Sequence, residues 1–124
     1  MMYEYLKKLK DESNFMPRKI LDIGANIGFW TKTVKSIWPD AQYTCIEAGP
    51  KYEKHLKEIA HKYHIAVLGD SNREVKMYLR EINKGNKKKL HIQRAQRCLI
   101  FSKILKLGRC RPWANWLVMT HNLI

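Results

Sequence analysis

The sequence predicts an α/β fold built on a mostly parallel sheet of about three to four strands. Short apolar runs that stop at glycine alternate with segments whose apolar residues recur at helical spacing, in the order β-α-β-α-β. At 124 residues and 45% hydrophobic, the chain is long enough for one core but short for a complete doubly wound domain.

The elements follow in order. Met2 to Glu12 reads as an amphipathic helix, with Tyr5, Leu6 and Leu9 on one side and Lys7, Lys8 and Lys10 elsewhere, ended by Pro17. Lys19 to Ile23 is an apolar run stopping at Gly24, which suits a strand buried on both faces. From Gly28 to Trp38 the residues Trp30, Val34, Ile37 and Trp38 fall at helical spacing, and Pro39-Asp40 closes the segment. Gln42 to Ile46 supplies a second strand, broken by Gly49-Pro50 before a helix carrying Tyr52, Leu56, Ile59 and Ala60. His64 to Leu68 supplies a third strand ending at Gly69-Asp70, and the weak alternation of Val75 to Leu79 offers a fourth. Beyond Asn83, Lys84-Gly85-Asn86 reads as a turn, Leu99 to Leu107 fits a helix, and Gly108 to Trp116 fits no period.

Charge divides the chain at the same place. Up to Asn83 there are fourteen Lys and Arg against eleven acids, whereas 84–124 holds ten basic residues and no acid, within a total of +13. The expected organisation is a half-domain over 1–83 and an irregular basic tail over 84–124. Three readings compete for that tail. As a basic arm, its cations would track phosphates while Trp113 and Trp116 stack on bases, although no nucleic-acid motif supports this. A membrane-surface helix over Leu99 to Leu107 would have only a short apolar face. Read out of frame, Met119 to Ile124 permits Asp-Thr-Gln-Phe-Asp on back-translation. No apolar run approaches the roughly 20 residues that span a bilayer, and the N-terminus lacks a secretory h-region, so the expected location is cytoplasmic. Cys45, Cys98 and Cys110 are odd in number and widely spaced, which indicates reduced thiols rather than disulfides or a zinc site.

The most specific feature is the segment from Ile20 to Phe29, a strand running through Asp22-Ile23-Gly24-Ala25-Asn26-Ile27-Gly28 into a helix. A loop at the carboxyl edge of a parallel strand must bring its backbone close under a ligand, and glycine permits this by lacking a Cβ and by tolerating positive φ. Gly24 is the expected tight turn. Gly28 is expected to let the helix start close to the sheet with its free N–H groups and positive end toward a ligand carboxylate. Asp22 is expected to hold a ligand ammonium, directly or through water. An acid beside the loop would repel a diphosphate, so an amino-acid-bearing nucleoside is favoured over a dinucleotide. Glu47, at the end of the second strand, is placed to accept both ribose hydroxyls. Asp70 follows the third strand where an adenine amino group would lie, a position that a turn residue fills equally well.

The blocks Leu21 to Gly28, then Ile46-Glu47-Ala48-Gly49-Pro50, then Ala66-Val67-Leu68-Gly69-Asp70 resemble the successive N-terminal blocks of FkbM-type methyltransferases. The resemblance covers about residues 18 to 80. It implies a Rossmann-like class I methyltransferase fold, S-adenosyl-L-methionine as cofactor, and methyl transfer to a hydroxyl of a sugar, glycan or small natural product. It also implies cofactor-binding roles for Asp22, Gly24 and Glu47, with Asn26 and Asp70 as further candidates. The Asp-x-x-Gly-x-Glu block with which the family continues is missing, so the sequence assigns no catalytic base and predicts an incomplete domain without turnover, one sheet face poorly covered. None of His55, His61, His64, His91 and His121 is expected to supply the missing base, and His55 and His61, on a Lys-rich helix face, are expected at the surface. The competing reading is a non-enzymatic basic module that reuses the fold to bind nucleic acid or an anionic surface.

Overall fold

The computed structural model describes residues 2–69, 74–81, 89–100 and 116–121. Its elements are α1 (Met2–Ser13), β1 (Lys19–Ile23), α2 (Phe29–Val34), β2 (Gln42–Glu47), a 3-10 turn (Pro50–Tyr52), α3 (Glu53–Ile59), β3 (Lys62–Ile65), β4 (Val67–Gly69), β5 (Glu74–Glu81), β6 (Lys89–Ile100) and β7 (Trp116–Thr120). The chain divides into two compact units, Met1–Ile65 with Leu107–Ile124, and Ala66–Lys106.

The first unit holds a four-stranded, wholly parallel sheet in the order β3-β2-β1-β7. β1 is flanked on both sides and only Lys19, its first residue, is exposed, which is why the strand reads as a near-continuous apolar run. Alternation turns Ile20 and Asp22, with Tyr43 and Cys45 of β2, onto the face that carries the three helices. There Leu6 of α1 and Val34 of α2 join Ile20, Ile37, Trp38, Ala41 and Tyr43 in one cluster, and Leu56 of α3 joins Ala25 and Cys45 in another. Each such large apolar side chain removed from water stabilises the fold by about 1.5–3 kcal/mol. The buried aromatic tips are matched: Trp38 Nε1 donates to the Phe15 carbonyl at 2.9 Å, and the Tyr43 hydroxyl donates to the Trp38 carbonyl at 2.8 Å. Lys10 Nζ donates to the Ile37 carbonyl at 2.7 Å, which satisfies an acceptor just past α2.

The second unit holds a three-stranded sheet in the order β4-β6-β5. β4 runs parallel to β6, and β5 pairs antiparallel with β6 from Glu74↔Arg97 to Glu81↔Lys89, with a register shift between Val75 and Met77.

Several expectations change. α2 covers Phe29–Val34 rather than 28–38, since turns take over from Lys35. The third strand expected over His64 to Leu68 is two strands, because the chain bends at Ala66 and Val67–Gly69 pairs with β6 instead. An unbroken apolar run carries no mark of where a chain leaves one sheet for another. The strand expected over Val75 to Leu79 exists within β5, but the fourth strand of the parallel sheet is β7.

The described parts of 84–124 are not irregular: Lys89–Ile100 and Trp116–Thr120 are strands, and Leu99 and Ile100 belong to β6 rather than to a helix. Ladder pairing supplies the regularity that the basic composition hid. The sheet face opposite the helices, expected to be poorly covered, has Leu21, Ile23 and Ile46 at no more than 5% exposure. No helix among the described residues is long and apolar enough to cross a membrane.

Candidate functional site

The strand order reverses beside β1: β2 and β3 follow on one side, and β7 is placed on the other. In open parallel sheets, the crevice at the carboxyl ends of the strands flanking such a switch point is where ligands bind. The segment singled out from sequence emerges here. Gly24 and Ala25 donate their N–H groups to the Ile46 carbonyl at 2.8 and 3.1 Å, pinning the loop after β1 across the end of β2.

The loop is built from left-handed residues: Gly24, Asn26 and Gly28 have φ of 78°, 55° and 80°. A Cβ on Gly24 would lie 3.2 Å from the His121 carbonyl oxygen, so the bare α-carbon is what admits the end of β7 beside the turn. The missing Cβ of Gly28 serves a different neighbour from the one expected. It makes room for Ile59 of α3, whose Cδ1 would be only 1.8 Å from the added atom. With six residues, α2 is also too short for its dipole to carry the anion-binding role expected of it.

Glu47, at the last position of β2, turns its carboxylate to the loop. Its Oε2 accepts the Asn26 N–H at 2.7 Å and its Oε1 accepts the Gly49 N–H at 2.8 Å. Each oxygen keeps a further lone pair for an external donor. Asn26 is therefore a connector, with its own Oδ1 accepting the Ile27 N–H at 2.8 Å.

Asp22 lies beneath the loop rather than in it, its side chain 1% exposed. Oδ2 accepts the Thr31 hydroxyl at 2.7 Å, and Oδ1 stands 2.8 Å from His121 Nε2. Burial pushes this carboxyl above the ordinary carboxylate range, opposed by the Thr31 hydrogen bond and by His121, and Glu47 adds a smaller push upward. Thr31 also touches Cys45 Sγ at 3.4 Å, and burial raises that thiol to about 11. Burial beneath the loop, rather than the engagement of its oxygens, closes Asp22 to direct contact from outside.

The structure thus brings Asp22, Gly24, Asn26, Gly28 and Glu47 to one sheet edge, while Asp70 lies outside the described residues. The sequence reading missed Thr31 and His121. Thr31 was legible as the residue three before Val34 on the buried face of α2. His121 carried no local signal, since a single histidine after an apolar run is ordinarily at the surface. The surface expectation holds for His55 and His61; His64 and His121 are half-buried, and the His91 side chain lies outside the described ones.

Among the described residues no group of three or more His, Cys, Asp and Glu could hold a metal ion. Comparison of the chain with models of protein families and with curated proteins finds no match.

Proposed function

We propose that the chain binds S-adenosyl-L-methionine at the carboxyl edge of β1 and β2, as the cofactor-binding part of an FkbM-type O-methyltransferase. The observation that carries the reading is Glu47, an acid at the end of the second strand, tied through the Asn26 N–H to a glycine loop at the switch point. The chemistry of the donor set fits the group: two carboxylates lie at the loop, and Gly24 to Thr31 and Glu47 to Pro50 contain no Lys or Arg. Such a site favours a nucleoside bearing a sulfonium and an ammonium over a diphosphate.

Glu47 would accept the ribose hydroxyls with its remaining lone pairs, and the Gly24 turn would let the backbone pass beneath the sugar. Asp22 would set the field under the loop through His121 and Thr31. When bound, the cofactor supplies a methyl group on an electron-poor sulfur. The acceptor proposed from the resemblance is a sugar, glycan or small-molecule hydroxyl.

Isothermal titration with S-adenosylhomocysteine tests the reading. Saturable binding that Glu47→Ala weakens at least tenfold is expected, and no heat at millimolar ligand would overturn it. The ten basic residues of 84–124, with no acid among them, favour the alternative of a basic binding module. That reading predicts salt-sensitive binding to duplex DNA or anionic vesicles and indifference to Glu47→Ala.

A further inference from the structure

We propose that His121 is the proton-accepting group of this site, with Asp22 as the residue that positions it. The inference rests on the cofactor reading above and extends it to the acceptor side, for which the sequence assigned no base. His121 follows β7 directly, and its N–H donates to the Ile23 carbonyl at 3.0 Å, so the ladder with β1 fixes the backbone that carries the ring. Its Cβ lies beside Gly24, 3.5 Å from where a Gly24 Cβ would stand. The imidazole therefore sits at the turn over which a ligand would lie.

The ring is held from two sides. Nε2 is 2.8 Å from Asp22 Oδ1, and the Trp30 indole meets the imidazole edge-on at 6.0 Å between centroids. Asp22 cannot swing away, because Thr31 holds its other oxygen and the carboxylate is almost wholly buried. In the proposed arrangement Asp22 is the acceptor of the pair, so Nε2 carries the hydrogen and donates it, and Nδ1 is the nitrogen without one. One third of the His121 side chain is exposed, whereas that of its partner is buried.

An acceptor hydroxyl needs to lose its proton as its oxygen attacks. His121 takes that proton at Nδ1, while the oxygen's electron pair forms the bond to the methyl carbon. The carbon–sulfur bond breaks and its pair remains on sulfur. The resulting imidazolium is stabilised by Asp22 without transfer of the second proton. A purely structural His–Asp tie would need the Nε2 contact alone and would be indifferent to what occupies the crevice.

The experiment uses the full chain with ¹⁵N-labelled histidine rings, and S-adenosylhomocysteine as the probe. Long-range ¹H–¹⁵N correlation, with His121 assigned by its loss in His121→Gln, is expected to show the Nε2–H form. Saturation with S-adenosylhomocysteine is expected to move the Nδ1 resonance. Asp22→Asn, whose amide can donate to Nε2, is expected to shift the ring toward the Nδ1–H form. An Nδ1–H tautomer in the wild type, or an Nδ1 resonance that ignores bound ligand, overturns the proposal and leaves the cofactor reading standing. Absence of binding to the wild type overturns both.

Discussion

Gly28→Ala tests whether the glycine loop is held by backbone conformation, by packing against α3, or by both. An alanine at φ 80° carries the left-handed penalty, roughly 1–2 kcal/mol. Its methyl would also stand 1.8 Å from Ile59 Cδ1, 3.1 Å from Cγ1 and 3.4 Å from Leu56 Cδ2. Since the nearest atom is the end of a flexible side chain, Ile59 moves rather than the backbone, at the usual overpacking cost of about 1–3 kcal/mol. The total destabilisation expected is about 2–5 kcal/mol. Ile59→Val removes Cδ1 while costing only about 0.5–1.5 kcal/mol by itself. The double variant should therefore recover part of the loss, with a favourable coupling of about 1 kcal/mol or more. Urea unfolding of the four proteins, read by tryptophan fluorescence, gives the cycle. A Gly28→Ala protein within 0.5 kcal/mol of wild type, or the absence of coupling to Ile59, would refute the packing account.

Other substitutions and pH changes follow from the same geometry. Asp22→Asn should leave the protein at least as stable as wild type at pH 7. A carboxyl raised by burial contributes its stability fully below the ordinary value of 3.8 and loses it as pH rises through the folded value, so the gain should vanish in thermal melts below pH 3.8. Glu47→Gln replaces one of two N–H acceptors with a donor and should weaken S-adenosylhomocysteine binding by about 10–100-fold, with little change in melting temperature. Cys45 is fully buried and its thiol is raised to about 11, so iodoacetamide at pH 8 should modify it only after unfolding. The same shift, from 9.0 to about 11, implies stability present below pH 9 and lost through pH 11, which Cys45→Ala should abolish in alkaline melts. Burial and Lys62 lower His64, so stability should fall as pH drops below 6.5, and His64→Gln should reduce that slope.

What could be read from the sequence was whatever local chemistry dictates. β1 was legible because a central parallel strand must be apolar on both faces, and Gly24 because a residue there must adopt a positive φ. Glu47 could be nominated from its place after a strand, although its bonds to Asn26 and Gly49 could not. The division between β3 and β4 was invisible, since Ile65 to Leu68 is apolar whichever sheet receives it. Trp116–Thr120 was overlooked for the opposite reason. It is an apolar run like β1, but its setting in an acid-free stretch drew attention to charge, and pairing with a strand so far back in the chain leaves no local periodicity. His121 was lost with it.

The partnership of β1 with β7 also orders events during synthesis. Asp22 and His121 are separated by 99 positions, so the amino-terminal strands and helices leave the ribosome seconds before the strand that covers the second edge of β1. Until then the central strand is an edge, with Ile20 to Ile23 offering unpaired N–H and C=O groups to any neighbouring chain. Distant pairing of this kind closes slowly, because loop entropy is lost before contacts repay it. The nascent chain therefore passes through a sticky stage, and the yield of folded protein becomes a race between arrival of Trp116–Thr120 and capture of β1 by another molecule. Slowed translation of the intervening codons should aggravate the loss, and a chaperone that shields strand edges should relieve it.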